Sequence, residues 1–160
     1  DVAELVRNVF TLFEPQAREA RVTLKYSAPE DLPPVPAHPG MLEQALVNLV
    51  DNAIKYSPPG STVTVEARRI AGDHLEIAVV DNGPGIPSEH LSRLFERFYR
   101  VDKARSKSMG GTGLGLAIVR HIVRRHGGAV RAESRLGKGS RFIITLPLTP
   151  QEVAVPDWDD

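Results

Sequence analysis

The chain has 160 residues, of which 41% are hydrophobic and 25% charged, a composition typical of one folded domain with an apolar core. The 20 Lys and Arg residues balance the 20 Asp and Glu residues, so no net charge draws the chain to nucleic acid or to an anionic membrane. The absence of cysteine excludes disulfides and cysteine metal sites. No apolar run reaches the length of a membrane span.

The hydrophobic periods place helices and strands along the whole chain. In chain order they predict a helix over residues 2–20, a strand over 22–26, a helix over 39–56, strands over 61–70 and 75–80, a short helix over 88–95, a helix from Gly113 to Gly127, and strands over 129–134 and 141–148. Pro15 predicts a kink or a break in the first helix, and Ser88 predicts an N-cap for the short one. The strands pair as hairpins, which favours an α+β fold with helices on one face of a sheet.

A glycine-dense loop, Gly110–Leu116, leads directly into the helix that follows it. Glycines let the backbone approach a ligand closely, and the start of a helix offers unpaired N–H groups and a positive dipole end. Together these features indicate an anion site, most often for phosphate. A plain packing turn remains the alternative for this loop.

A polar stripe follows one side of the second helix, formed by Gln44, Asn48, Asn52 and Lys55. Asparagine is a poor residue for a helix interior, so two of them one turn apart on one face indicate a function. Their amide oxygens are suitable ligands for Mg²⁺, with Lys55 near phosphate. A solvated helix face is the alternative.

A second candidate site follows a strand directly, at Asp81-Asn82-Gly83-Pro84-Gly85-Ile86. A carboxylate at a strand end can accept hydrogen bonds from the edge of a ligand, while the glycines make room. The alternative is a tight turn in which Asp81 bonds its own backbone. Further along, Arg97 and Arg100 are either surface charges or clamps for a terminal phosphate.

Four segments resemble, in the right order, the boxes of sensor histidine kinases. The N box is matched by residues 48–56, the G1 box by 81–85, the F box by 95–98 and the G2 box by 111–116, and residues 137–142 resemble the last glycine turn and strand of the family. The resemblance covers nearly all of residues 1–148 and implies a catalytic ATP-binding domain. It implies the Bergerat-type two-layer sandwich, a mixed sheet of about five strands covered on one face by about three helices, followed by a flexible tail over 149–160.

The resemblance also implies a metal and phosphate site. It assigns Mg²⁺ to Asn52, with Asn48 as a second ligand or a nearby support. Lys55 is assigned to phosphate, and Arg100, with Arg105, to the terminal phosphate. Residues 101–109 then form a flexible lid over ATP.

The base pocket is implied in the same way. Asp81 takes the adenine amino group, and Gly83 and Gly85 shape the base pocket. Ile86, the next residue, is assigned to nucleotide binding as well, and Tyr56 lies on the base or ribose side. The phosphate cradle is assigned to Gly111, Thr112, Gly113, Leu114, Gly115 and Leu116, with Thr112 near the metal.

Alternatives within the superfamily stay open but are disfavoured. ATP hydrolases and conformational clamps carry a glutamate that activates water at the position matching Asn48, and an amide cannot accept that proton. A serine kinase of the anti-sigma type is disfavoured by the intact F box and the long basic lid. A binding-only module is expected to lose Asn52, Asp81 or the G2 glycines, and all are present.

None of the five histidines has the setting of a phosphoacceptor. They are His38, His74, His90, His121 and His126, and we interpret all of them as structural or solvated. The implied partners are therefore a histidine-bearing dimerisation domain of the same kinase and a response regulator, with no nucleic acid. We expect a monomeric domain from a homodimeric parent, on the cytosolic side of a membrane-anchored bacterial sensor.

Overall fold

The computed structural model describes residues 1–99 and 115–149, in which helices and strands alternate in blocks. The helices are α1 (Val2–Ala20), α2 (Pro39–Tyr56), α3 (Ser88–Leu91) and α4 (Gly115–Arg125). The strands are β1 (Thr23–Ser27), β2 (Thr62–Ile70), β3 (His74–Asp81), β4 (Ala129–Arg135) and β5 (Gly139–Pro147). Among these helices none is long and apolar enough to cross a membrane.

The strands form one mixed sheet of five strands in the order β1-β2-β3-β5-β4. β1 and β2 run parallel, because α2 carries the chain back between them, and the other pairs are antiparallel. The predicted α+β fold with a mixed five-stranded sheet is confirmed. The β3–β5 pairing places Asp81, at the end of the central strand, opposite Ser140.

One sheet face and three helices share the apolar core. Alternate residues of the central strands point into it, among them Val63, Val65, Leu75, Ile77, Val79, Phe142 and Ile144. The buried stripe of α2 covers them with Leu42, Leu46, Leu49, Val50 and Ala53. Each fully buried aliphatic side chain of this kind contributes about 1.5–3 kcal/mol. Because α2 buries this stripe, its polar side is left to face α4 and the loop after β3.

The other sheet face is covered by charged side chains. Ala78 and Ile143 on that face are only 2% and 1% exposed. Glu76 lies beside them and pairs with Arg68 at 2.6 Å and with Arg131 at 3.7 Å. The long arginine stems cover apolar surface while their charged heads are paired, so this face needs no helix layer.

Two local predictions need comment. Pro15 predicted a kink or a break; α1 continues through it without a break, because Phe13 and Ala17 are buried on either side of it and hold the helix on the core, and the kink stays a prediction. Ser88 is not an N-cap, and α3 ends at Leu91. After α3 the chain continues in turns with N–H to carbonyl bonds three residues apart, as from Glu96 to Arg93.

Two glycines of the β4–β5 turn offer a matched stability test. Gly137 and Gly139 both have positive φ, at 77° and 94°. A methyl group at Gly139 would lie 2.1 Å from the carbonyl oxygen of Asp81, whereas one at Gly137 would meet nothing within 4 Å. Gly137→Ala is expected to cost about 1–2 kcal/mol of unfolding free energy for the left-handed backbone alone. Gly139→Ala should cost about 1–3 kcal/mol more in urea titrations because of the clash; equal losses would contradict this reading.

Candidate functional site

The polar stripe of α2 connects to the first residue of α4. Asn48 Nδ2 donates to the carbonyl of Gly115 at 3.1 Å, and Asn48 Oδ1 accepts from Gln44 Nε2 at 2.9 Å. Asn48 therefore links two elements of the candidate site, which a simple solvated helix face would not do. A methyl group at Gly115 would meet none of the described atoms within 4 Å.

Asn52 lies one turn after Asn48 on the same partly buried stripe of α2. The described residues contain no group of three His, Cys, Asp or Glu side chains that could enclose a metal ion. The amide oxygen of Asn52, with Asn48 as a nearby support, fits Mg²⁺ nevertheless, because Mg²⁺ takes oxygen ligands, keeps several waters and is commonly completed by substrate phosphates. The residues present therefore suit a metal that arrives with its nucleotide.

Lys55 forms an ion pair with Asp51 on the same helix. Its Nζ lies 3.0 Å from Asp51 Oδ2, and Asp51 Oδ1 accepts from Gln16 Nε2 of α1 at 3.1 Å. A phosphate ligand would have to compete with Asp51 for this ammonium group. The lysine side chain is flexible and lies one helical turn from Asn52, so its ammonium group can reach either Asp51 or a phosphate near Asn52.

Asp81 is a buried carboxylate at the end of β3, only 5% exposed. Its Oδ1 accepts from the N–H of Gly83 at 2.9 Å, and the backbone N–H of Ser140 also bonds the carboxylate. Burial raises the pKa of Asp81 above its ordinary value, and the two backbone bonds oppose that shift. The alternative Asx turn is therefore present, but a turn alone does not require a carboxylate to be buried at the end of a central strand.

The glycines after Asp81 permit two close backbone approaches. A methyl group at Gly83 would lie 2.7 Å from the carbonyl oxygen of Tyr56, at the end of α2. A methyl group at Gly85, whose φ is +81°, would lie 2.2 Å from the carbonyl oxygen of Arg135 in β4. These contacts bring the loop after β3 against α2 on one side and against the β4–β5 hairpin on the other.

The structure brings several of the residues predicted for the site near one another. Residues on α2, on the loop after β3 and at the start of α4 lie around one region, namely Asn48, Asn52, Tyr56, Asp81, Gly83, Gly85, Ile86 and Gly115. Leu116 packs its side chain against the core, which leaves its backbone for any ligand contact. Arg100, Arg105, Gly111, Thr112, Gly113 and Leu114, with the lid over 101–109, lie outside the described residues, as does the tail beyond Thr149.

Two of the five histidines have clear structural roles. His38 caps α2, its Nδ1 accepting from the N–H of Met41 at 3.2 Å. His126 is buried, and its Nε2 accepts from the N–H of His38 at 3.0 Å while its Nδ1 lies 2.8 Å from the carbonyl of Ile122. This pair ties the end of α4 to the start of α2.

Sequence reasoning missed Ser134, Gly139 and Ser140, which all contact the loop around Asp81. The glycine turn before Ser140 was recognised, but nothing in one sequence showed that β5 pairs with β3. An open groove of about 620 Å³ between α1 and β1 is a separate feature. None of the predicted site residues that the structure describes lines it.

Comparison with known proteins identifies the fold and its relatives. Residues 37–150 match the family described as histidine kinase-, DNA gyrase B-, and HSP90-like ATPase. The sensor-like histidine kinase SenX3 of Mycolicibacterium smegmatis is 43% identical over 150 residues, which cover 94% of this chain and 38% of that protein. The chain therefore spans less than half of this relative.

Two solved structures show the same architecture. The crystal structure of full-length ShkA in complex with AMPPNP has a TM-score of 0.83 at 33% identity, over 96% of this chain and 31% of ShkA. The histidine kinase ThkA in complex with the response regulator protein TrrA has a TM-score of 0.78 at 28% identity, over 94% of this chain and 41% of that one.

The raised pKa of Asp81 predicts a specific pH dependence of stability. Between the unfolded pKa of 3.8 and the raised folded value, the folded chain binds more protons than the unfolded chain. The unfolding free energy should therefore fall as pH rises through that window, since its slope follows the difference in bound protons. Asp81→Asn should lack this fall, and urea titrations of both chains from pH 3 upward measure the difference. If the unfolding free energy of Asp81→Asn changes with pH in the same way as that of the native chain, the fall does not come from Asp81.

Proposed function

Because the chain belongs to the histidine kinase-, DNA gyrase B- and HSP90-like ATPase family and is the ATP-binding catalytic domain of a sensor histidine kinase, we propose that it presents the terminal phosphoryl group of Mg-ATP to a histidine on a separate dimerisation domain. The observation that carries this proposal is the buried carboxylate of Asp81 at a strand end, followed by a loop that meets the end of α2 at Tyr56, while Asn48 of the same helix bonds the start of α4.

In this proposal Asp81 recognises the base. Its carboxylate is already bonded by two backbone N–H groups and can accept a further hydrogen bond from the adenine amino group. Gly83 and Gly85 let the loop after β3 approach the end of α2 and β4 closely, and Tyr56 and Ile86 would border the base pocket from α2 and from that loop. Guanine presents a carbonyl where adenine has its amino group, so it would leave two acceptors facing each other.

Phosphate binding would be shared between α2 and the start of α4. Asn52, supported by Asn48, would hold Mg²⁺, and Lys55 would leave Asp51 to contact phosphate. The metal supplies neutralisation of charge on the phosphates. The G2 residues Gly111, Thr112, Gly113, Leu114 and Gly115, with Leu116, would cradle the phosphates through their backbone. Arg100 and Arg105 would reach the terminal phosphate.

Transfer is favoured over hydrolysis by the chemistry of Asn48. Its amide bonds Gln44 and Gly115 and cannot accept a proton from water as a glutamate at this position would. In the proposed step an imidazole nitrogen of the acceptor histidine attacks the terminal phosphorus, the bond to the bridging oxygen breaks, and ADP leaves. The chain contributes positioning and charge neutralisation.

The partners follow from this reaction. They are the histidine-bearing dimerisation domain of the same kinase and then the receiver domain of a response regulator, a partner class supported by the ThkA complex with TrrA. We expect the isolated domain to be monomeric, its parent to be a homodimer, and the domain to lie in the cytosol, where ATP is supplied.

The role of Asn52 can be tested by calorimetry. Asn52→Ala should weaken ATP binding in Mg²⁺ by about tenfold or more, because a metal ligand is removed, while binding in EDTA changes little. Asn8→Ala is the matched control, since it makes the same change on an exposed position of α1. If Asn52→Ala binds ATP normally in Mg²⁺, Asn52 is not a ligand of the metal.

Phosphoryl transfer can be tested with the acceptor in trans. Residues 1–160 should bind ATP but show little labelling by radioactive ATP, because the acceptor is not held near the phosphate. Addition of the histidine-bearing helical hairpin of the parent kinase should give Mg²⁺-dependent, acid-labile and base-stable phosphate on the hairpin. Strong labelling of the 160-residue chain alone would make one of its five histidines an acceptor and overturn the proposal.

A further inference from the structure

Two serine hydroxyls lie beside the loop that follows Asp81. Ser134 Oγ, near the end of β4, accepts from the backbone N–H of Ile86 at 2.7 Å and donates to the carbonyl oxygen of Gly139 at 3.0 Å. The hydroxyl oxygens of Ser134 and Ser140 are 2.8 Å apart. Ser134 therefore joins the loop to the β4–β5 hairpin.

The partners of Ser134 determine which way these hydrogen bonds run. The N–H of Ile86 can only donate and the carbonyl of Gly139 can only accept, so the single hydrogen of Ser134 is used on Gly139. In the contact between the two hydroxyls, Ser140 must then be the donor. With its hydrogen used on Ser134, the oxygen of Ser140 can only accept further hydrogen bonds.

Ser140 stands beside the carboxylate that we propose as the base recogniser. The two residues face each other in the β3–β5 register, and the backbone N–H of Ser140 bonds the Asp81 carboxylate. Ser140 is buried, at 6% exposure. Next to Asp81, this site therefore presents a second acceptor whose hydrogen points away toward Ser134.

The backbone strengthens the same connection. The N–H of Gly137, in the hairpin turn, donates to the carbonyl of Pro84 at 2.7 Å. Together with the close approach of Gly85 to Arg135, this holds the loop and the hairpin as one unit. The hydroxyl of Ser134 adds a side-chain contact to that unit.

We propose that Ser134 is a positioning residue for purine discrimination, which fixes the loop at Ile86 and keeps the hydroxyl hydrogen of Ser140 away from the bound base. The inference rests on the proposed adenine recognition by Asp81. Without Ser134, the hydroxyl of Ser140 is free to rotate and can donate to the carbonyl of guanine. A part of the selection against guanine is then lost.

The test measures the dissociation constants of ADP and GDP by calorimetry and compares their ratio between variants. Ser134→Ala should reduce the preference for ADP by about three- to tenfold, the range expected for one hydrogen bond. Ser134→Thr keeps the hydroxyl and should retain the preference. Ser61→Ala is the matched control, because it also removes a hydroxyl bonded to a backbone carbonyl, at Pro58, outside the site.

A double variant separates positioning from simple destabilisation. Adding Ser140→Ala to Ser134→Ala removes the rotating hydroxyl and should restore selection against GDP, whereas general damage to the pocket would not be repaired. If Ser134→Ala does not fold, Ser134→Cys serves in its place, since a thiol forms only weak hydrogen bonds.

The outcomes also distinguish this inference from the proposed function. A native chain that binds ADP and GDP equally overturns adenine recognition by Asp81, and the role of Ser134 with it. A native preference for ADP that Ser134→Ala keeps unchanged overturns the role of Ser134 alone. The role of Ser134 is also overturned if Ser134→Ala loses the preference for ADP and the added Ser140→Ala does not restore it.

Discussion

The buried carboxylate of Asp81 constrains the centre of this structure. A buried charged group at the end of a central strand is costly unless its lone pairs are bonded, and here two backbone N–H groups serve that purpose. One comes from Gly83 in the following loop and the other from Ser140 in the neighbouring strand. The loop, the hairpin and the strand register must all be correct for both bonds to form.

Several glycines are explained by that constraint. Gly139 allows β5 to start against the carbonyl of Asp81, and Gly83 allows the loop to pass the last carbonyl of α2. Gly85 does the same against β4. A side chain at any of these positions would push apart the elements that enclose the carboxylate, so the conformational freedom of glycine is needed for the site as well as for the turn.

Helix α2 contributes to both the apolar core and the candidate site. One stripe of α2 covers the sheet with leucine, valine and alanine, and the opposite stripe places Asn48 against the start of α4 and Asn52 one turn further on. Because a helix is rigid over these few turns, packing of the apolar stripe sets the position of the polar one. The open sheet face does not take part, since its arginines and glutamates are paired with one another.

The sequence by itself determined the element order, the α+β class and the ordered motifs, because these depend on local hydrophobic period and on residue types at short spacing. It predicted α2 to the residue, and it placed Asp81 at a strand end. It left open whether α1 breaks or only kinks at Pro15, and the helix continues because burial of Phe13 and Ala17 outweighs the local preference of proline. Tertiary structure alone decided that β5 lies beside β3, which brings Ser140 to Asp81 and Ser134 to Ile86 across about 50 residues of chain. Strand pairing of this kind is a long-range choice of register that the periodicity of one segment does not contain.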